Sequence, residues 1–195
     1  LYFRGITGEP HLWTRNGLPL EGSAHVFRRL AEMEAAAGEP MFFDGEIVVT
    51  PPDGTSDTLA ATKRWFESGW KRGGDAGVFH AFDCLTLAEW KRGGSDIPLI
   101  ERKARLKALL DASEPEDDGW TWAPGSRGAV PPTPVIMTPD EWAFTAADAI
   151  DMARRVWAVD GEGVVLKDPI APYERRRTDH WKKVKMENFH KWKSA

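Results

Sequence analysis

Charged side chains recur on short segments whose other residues are apolar. The segments are FFDGEIV (42–48), HAFDCL (80–85), EGVVLK (162–167) and WKKVK (181–185). Glu162 and Lys167 stand at the two ends of one apolar run, and Asp44 and Glu46 interrupt another. A strand buried on both faces is a nearly continuous apolar run, so these charges indicate strands that border a polar cleft.

The spacing of these charges indicates which side chains share a face. Residues two apart on a strand point to the same side, so Asp44 and Glu46 share one face. By the same rule Lys183 and Lys185 share a face, and Lys182 lies on the other. Carboxylates supply the oxygen ligands that hard cations prefer, and ammonium groups donate to phosphate oxygens. A lone D-G-E is more often a turn, and a lone K-x-K is more often a solvated strand face. The prediction of a metal and phosphate cleft therefore depends on the occurrence of all these segments together and in this order.

The elements that position these residues alternate irregularly along the chain. Strands are predicted at 11–15, 41–50, 78–87, 134–137 and 163–167, and helices at 24–37, 58–69, 99–112 and 138–156. No strict βαβ rhythm and no G-x-G-x-x-G is present. The pattern favours an α+β domain with largely antiparallel sheets flanked by helices over a Rossmann fold.

Length and composition are those of a soluble protein with one domain. The 195 residues are 29% charged and 42% hydrophobic, with Cys84 as the single cysteine. No apolar run approaches the roughly 20 residues that span a bilayer, and the first residues lack the layout of a signal peptide. We therefore expect a cytoplasmic, monomeric protein without a membrane association.

The net charge of −4 conceals an uneven distribution. The segment from Glu174 onward is rich in Arg and Lys and contains Trp181, Phe189 and Trp192, whereas residues 111–118 are acidic. A basic strip beside aromatic rings suits a polyanion backbone, because phosphate neutralisation releases counterions and rings stack on bases. A solvated C-terminal end explains the charge equally well.

Taken in order, the series TRNG (14–17), FFDGEIV, HAFDCL, EGVVLK and WKKVK resembles motifs Ia, III, IIIa, IV and V of the covalent nucleotidyltransferases. Within that superfamily it is most similar to the ATP-dependent DNA ligases, the bacteriophage branch especially. PLIERKARL (98–106) resembles the helix that follows motif IIIa. The resemblance implies a nucleotidyltransferase (ATP-grasp-like) adenylation domain that spans residues 1–195.

The resemblance also implies a role for each matching residue. Phe82 would stack on the adenine of ATP, although a core phenylalanine is the alternative. Glu46 would approach the ribose or a metal, and Glu162 would support the divalent metal, Mg²⁺ or Mn²⁺. Lys183 and Lys185 would hold the α-phosphate as catalytic residues, with Lys167 near the phosphates.

Two arginines also match positions in the motifs, and two aspartates are expected to have structural roles. Arg15 matches the motif Ia arginine, which faces the nucleotide or the nicked strand, and Arg4 is a candidate for the arginine of the nucleophile motif. Asp44 and Asp83 are expected to be structural, fixing turns or strand ends through backbone amides.

Two departures from the family pattern are present. The nucleophile motif K-x-D-G does not occur in the 195 residues. We expect its lysine upstream of Leu1, unless residues 1–5 are the scar of an expression tag or the domain binds nucleotide without forming a covalent adduct. The OB-fold domain that normally follows motif V is likewise expected to be missing.

The implied reaction is the formation of lysyl-AMP from ATP and the transfer of AMP to the 5′-phosphate of nicked duplex DNA, followed by phosphodiester sealing. An RNA ligase or a capping guanylyltransferase shares the motifs and is the alternative within the enzyme class. A noncatalytic, nucleotide-responsive nucleic-acid-binding module is the alternative outside it.

Overall fold

The computed structural model describes residues 1–5, 8–20, 23–49, 62–63, 77–113, 133–159, 161–187 and 189. The strands are β1 (Tyr2–Arg4), β2 (Pro10–Leu12), β3 (Met41–Val49), β4 (Gly77–Thr86), β5 (Gly94–Ser95), β6 (Val135–Met137), β7 (Gly163–Lys167), β8 (Tyr173–Glu174) and β9 (Trp181–Lys185). The helices are α1 (Ala24–Ala37), α2 (Leu87–Arg92), α3 (Leu99–Ala112) and α4 (Ala146–Trp157).

The strands form three sheets. A five-stranded sheet has the order β2-β1-β3-β4-β6, and β5–β8 and β7–β9 are two-stranded. Every pairing is antiparallel except that of β4 with β6. The architecture confirms the α+β class with largely antiparallel sheets.

Helices α1 and α3 cover one face of the five-stranded sheet. Leu30 and Met33 of α1 and Leu106 of α3 are fully buried against Phe43 and Phe79 of the sheet. Burial of each such side chain contributes roughly 1.5–3 kcal/mol relative to exposure. The opposite face of β3 and β4 carries a second, smaller cluster around Phe42, Leu85 and Tyr173, and Asp44 is hydrogen-bonded to Tyr173 there.

Two of the predicted helices have the bounds that the sequence indicates, and one does not. Helices α1 and α3 confirm the predictions at 24–37 and 99–112. The prediction of a helix from Thr138 is wrong at its start, because α4 begins only after Thr145. Thr145 and Asp148 form a capping box there, which satisfies the free amides of the first turn.

The remaining predicted helix, 58–69, lies outside the described residues except for positions 62 and 63. The described helices include none that is both long and apolar enough to span a membrane.

Candidate functional site

Phe82 lies on the open face of the large sheet, at a β-bulge. Asp44 pairs with Asp83 and Gly45 pairs with Ala81, so Phe82 has no partner residue in β3. An extra residue of this kind re-aims the side chains beside it. Ala81 remains in the helix-covered core, whereas Phe82 is only half-buried and contacts Lys167 of the second sheet.

Gly45 has a steric role opposite this bulge. A Cβ at this position would lie 2.5 Å from the carbonyl oxygen of His80 and 2.5 Å from the ring of Phe79. A Cβ atom in a protein essentially never lies within 3 Å of a heavy atom to which it is not bonded. The glycine of the D-G-E segment is therefore required by the close approach of β4, which carries Phe82.

The β7–β9 sheet gathers the lysines on one face. Its register pairs Lys167 with Trp181, Val165 with Lys183 and Gly163 with Lys185. Directly opposed residues of antiparallel strands share a face, so all three lysines point to the same side. The other face carries the buried Val184 and packs against α4. The prediction that Lys183 and Lys185 share a face opposite Lys182 is confirmed.

Lys167 lies between two aromatic rings. Its Nζ is 4.7 Å from the ring centroid of Phe82 and 4.0 Å from that of Trp181, within the range of cation–π attraction. Burial, reinforced by the charge of Lys103, lowers the pKa of Lys167 to about 8, although Asp83 and Asp44 oppose the shift. The two rings thus hold an ammonium group whose charge is sensitive to pH.

Asp44 and Asp83 are both buried and hydrogen-bonded, but of the backbone-amide bonds expected from the sequence the described residues show one only for Asp83. Asp83 accepts from the guanidinium of Arg102 at 2.8 and 2.9 Å in a fully buried bidentate pair, and from the amide of Cys84. Asp44 accepts from the Tyr173 hydroxyl at 2.7 Å, and burial raises the pKa of its carboxyl. Arg102 and Tyr173 both lie outside the large sheet. Their hydrogen bonds therefore tie β3 and β4 to the segments around β5 and β8.

Arg102 extends this connection to the segment that follows β7. Besides Asp83, it donates to the carbonyl oxygens of Ile97 and Ala171. Ala171 lies four residues after Lys167. The buried guanidinium therefore holds β4 and the end of β7 in a common position, with Phe82 on one and Lys167 on the other.

Glu162 and Lys185 form an ion pair across the start of the β7–β9 sheet. The hydrogen bond from Lys185 lowers the pKa of Glu162. Glu46 is exposed on β3, opposite His80, whose pKa is lowered by burial and raised less strongly by Glu46. Both carboxylates thus offer oxygen ligands at the borders of the open face.

The two predicted arginines lie apart from the lysines. Arg4 forms an ion pair with the buried Glu34 of α1 and donates to Gly8. Arg15 is exposed in the turn after β2, where it forms no hydrogen bond or ion pair with another described residue. Their roles in nucleotide binding stay predictions.

This geometry can bind a flat ring and a chain of phosphates together. Phe82 offers an aromatic face, and the face of the β7–β9 sheet offers three ammonium groups. Comparison with known proteins agrees with this reading, because the family model described as "ATP dependent DNA ligase domain" matches residues 6–185. The chain belongs to this family.

The ligase-domain fold recurs in solved structures of low sequence identity. The ATP-dependent DNA ligase from bacteriophage T7 in complex with ATP matches 96% of this chain and 58% of its own, with a TM-score of 0.65 and 16% identity. Structures named Pmar-Lig_Pre and Pmar-Lig_PreS3 match 94% of this chain at TM-scores of 0.65 and 0.64, with 18% and 17% identity. The chain spans 39% of these two, and no curated protein matches it in sequence.

The ligase domain also contains site residues whose contacts were not predicted from the sequence. Trp181 was placed among the rings of the basic strip that could stack on bases, yet in the structure its ring covers the ammonium group of Lys167. Tyr173 and Arg102 hold the two buried aspartates. The available signal was the position of Trp181 two residues before Lys183, which puts the ring on the lysine face.

The donor set fits a divalent metal only in combination with a substrate. The described residues contain no group of three or more His, Cys, Asp or Glu side chains arranged to hold a metal. Mg²⁺ is usually bound by one or two carboxylates together with substrate phosphates and water. Glu46 and Glu162 supply oxygen donors of the kind that this mode requires.

Proposed function

We propose that the protein is the adenylation domain of an ATP-dependent DNA ligase, which forms lysyl-AMP and passes AMP to the 5′-phosphate of a nick. The observation that supports this most is Lys167 between the rings of Phe82 and Trp181, on the same sheet face as Lys183 and Lys185. A ring surface beside three ammonium groups matches a nucleotide, with its base on one side and its phosphates on the other.

The residues of the chain divide between binding and charge stabilisation. Phe82 stacks on the adenine, and Lys183 and Lys185 donate to oxygens of the α-phosphate. A lysine nitrogen attacks the α-phosphorus, the bond to the bridging oxygen breaks, and pyrophosphate leaves with the electron pair. Negative charge develops on the phosphate oxygens during this step, so fixed ammonium donors stabilise the transition state more than the ground state.

Transfer to DNA uses the same surface. An oxygen of the DNA 5′-phosphate attacks the phosphorus of lysyl-AMP and the lysine nitrogen leaves, which forms a DNA-adenylate. A 3′-hydroxyl then attacks the 5′-phosphorus, and AMP departs. A magnesium or manganese ion, held by Glu162 and Glu46 with the phosphates, would neutralise phosphate charge. Arg15 would face the nucleotide or the nicked strand.

We further propose that the nucleophilic lysine belongs to a K-x-D-G motif upstream of Leu1 and that an OB-fold domain follows in the complete enzyme. The K-x-D-G motif is absent from residues 1–195, and the chain spans 58% of the bacteriophage T7 ligase and 39% of Pmar-Lig_Pre. The complete enzyme would act as a cytoplasmic monomer on nicked duplex DNA.

The test is the intact mass of the protein, prepared with its natural upstream sequence, before and after incubation with ATP and magnesium. We expect an added adenylate that pyrophosphate removes. GTP in place of ATP, and RNA in place of nicked DNA, separate the ligase from a capping enzyme or an RNA ligase. ATP binding without an adduct would instead favour the noncatalytic module.

A further inference from the structure

We propose that Lys167 covers the ring of Phe82 as an internal competitor of the base, so that a ligand must carry phosphates to displace it. The inference rests on the proposed function, because it concerns the ring on which that function places the adenine. It assigns to Lys167 the selection of nucleoside phosphates over nucleosides.

The ammonium group of Lys167 occupies space over Phe82 that a stacked base requires. Its Nζ lies over the ring at 4.7 Å from the centroid. A stacked base places its own atoms about 3.5–4.0 Å from the ring, so base and ammonium group exclude each other on one side of it. A nucleotide whose phosphates reach Lys183 and Lys185 has its base on the side of Phe82 that faces β7–β9, and Lys167 projects from that sheet. Stacking on this side therefore requires that Lys167 move.

A second ring holds the ammonium group in this position. Trp181 is the register partner of Lys167, and its ring centroid lies 4.0 Å from Nζ. The Trp181 ring meets the ring of Tyr173 edge-on at 5.9 Å and 82°, and the Tyr173 hydroxyl donates to the buried Asp44 at 2.7 Å. Cation–π attraction is strongest at desolvated sites of this kind, so a base that displaces the ammonium group from Phe82 loses part of its binding free energy.

The charge of Lys167 is not neutralised by a partner of its own. Its Nζ forms no hydrogen bond and no ion pair with another described residue. Three carboxylates raise its pKa, and each already has another donor: Asp83 has Arg102, Asp44 has Tyr173, and Asp140 has Lys103. Burial has the larger effect and lowers the pKa to about 8. The charged form therefore gains from any ligand that brings negative charge close to it.

Phosphates offer the displaced ammonium group such a charge. Lys183 lies two residues beyond Trp181 on the same face, which is about 7 Å along the strand. The flexible stem of lysine allows Nζ to turn from the rings toward a phosphate held at Lys183. A nucleotide thus replaces the cation–π contact by a charge-assisted hydrogen bond, whereas a nucleoside offers no replacement.

The test is the Kd of adenosine and of ATP, measured by isothermal titration calorimetry for the unsubstituted protein and for Lys167→Ala. The variant should bind adenosine roughly 2- to 30-fold more tightly, because the base no longer competes with a cation–π contact. It should not bind ATP more tightly, since ATP loses a phosphate contact at the same time. A lysine that only binds phosphate would leave the Kd of adenosine unchanged, and a merely structural lysine would weaken both ligands.

Two further variants are the controls. Lys167→Arg keeps a cation between the rings and should bind adenosine as weakly as the unsubstituted protein. Lys182→Ala removes the same charge from the exposed, opposite face of β9 and should leave both affinities unchanged. Circular dichroism confirms that each variant is folded.

Nuclear magnetic resonance of the unsubstituted protein, with ¹³C at Cε of its lysines, follows the displacement directly. Ring currents of Phe82 and Trp181 should shift the Lys167 signal upfield, and its absence from Lys167→Arg identifies it. Saturation with ATP should move this signal toward those of exposed lysines.

The inference is overturned if Lys167→Ala binds adenosine no more tightly than the unsubstituted protein, with undetectable binding by both included. A Lys167 signal that ATP leaves unmoved would overturn it as well. ATP binding by the unsubstituted protein is the separate readout of the proposed function. If ATP fails to bind, the proposed function fails; if ATP binds and the adenosine affinity of Lys167→Ala is unchanged, only the competition by Lys167 is rejected.

Discussion

Phe82 lies on the face of β4 opposite the core residues Phe79 and Ala81. The bulge opposite Asp44 and Gly45 leaves it without a partner residue in β3. There its ring meets Lys167, which also contacts Trp181. The alternative of a core phenylalanine is not what the structure has, since the ring is half-buried on the open face.

Replacement of this ring should weaken nucleotide binding selectively. Stacking of a base on an aromatic side chain contributes about 1–3 kcal/mol, so Phe82→Ala should raise the Kd for ATP by a factor of roughly 5 to 150. Phe82→Tyr keeps the ring and should bind ATP nearly as well as the unsubstituted protein. Isothermal titration calorimetry measures all three, and an unchanged Kd for Phe82→Ala would exclude adenine stacking at this residue.

The buried ammonium group of Lys167 predicts a pH-dependent stability. Burial lowers its pKa to about 8 from the ordinary 10.5, so between these values the unfolded chain binds more protons than the folded protein. Stability therefore rises with pH in this window. Lys167→Met removes the titration, and we expect it to be more stable by about 1–3 kcal/mol at pH 7.

Urea unfolding at a series of pH values measures the difference between Lys167→Met and the unsubstituted protein. The advantage of the variant should shrink as pH rises from 8 to 10.5. Comparison of the two proteins cancels the titration of all other groups. A constant difference over this range would show that Lys167 titrates normally.

At the scale of elements, glycines permit the strand contacts that hold the site. Gly163 has φ +140°, and a Cβ there would lie 2.1 Å from the carbonyl oxygen of Val184. It begins β7, next to the Glu162–Lys185 pair. The glycine after the motif glutamate is thus explained by backbone geometry and by the proximity of β9.

Gly163→Ala should therefore disrupt β7–β9 pairing and greatly weaken ATP binding. Gly38 is a matched control, because it has φ +70° at the end of α1 but nothing within 4 Å of its Cβ position. Gly38→Ala should lower the free energy of unfolding by only about 1–2 kcal/mol and leave ATP binding intact. Chemical denaturation and calorimetry test both, and equal effects of the two substitutions would contradict the steric argument.

At the scale of the whole molecule, the nucleotide should connect the two sheets. Phe82 belongs to the five-stranded sheet, whereas Lys167, Lys183 and Lys185 belong to β7–β9. A ligand that contacts both sheets binds only the folded arrangement. Its binding free energy then adds to the free energy of unfolding.

ATP at 100 times its Kd should raise the free energy of unfolding by about 2.7 kcal/mol. GTP at the same concentration should stabilise the protein less if the site is adenine-specific. Urea unfolding with each nucleotide measures the difference, and inorganic triphosphate controls for binding to the lysines alone. Greater stabilisation by GTP than by ATP would favour the capping alternative, and equal stabilisation would contradict adenine specificity.

Local sequence accounts for much of the fold. Apolar spacing placed α1 and α3 at their observed bounds, because those helices each bury one face against the sheet. The start of α4 was misplaced, since Pro139 and the acidic residues after it also suit a helix, and only the capping box at Thr145 and Asp148 decides the boundary. Helix ends depend on a few hydrogen bonds that periodicity does not register.

The amino-acid sequence by itself determined which groups are available: a period-two pattern that puts Lys183 and Lys185 on one face, carboxylates at Glu46 and Glu162, and an ordered series of motifs. Only the tertiary structure decided that Phe82 meets Lys167 of the second sheet, that Trp181 covers Lys167, and that Arg102 and Tyr173 hold the buried aspartates. The reason is physical, because alternation is a local property of a strand, whereas these contacts join residues far apart in the chain that meet only once the sheets have packed.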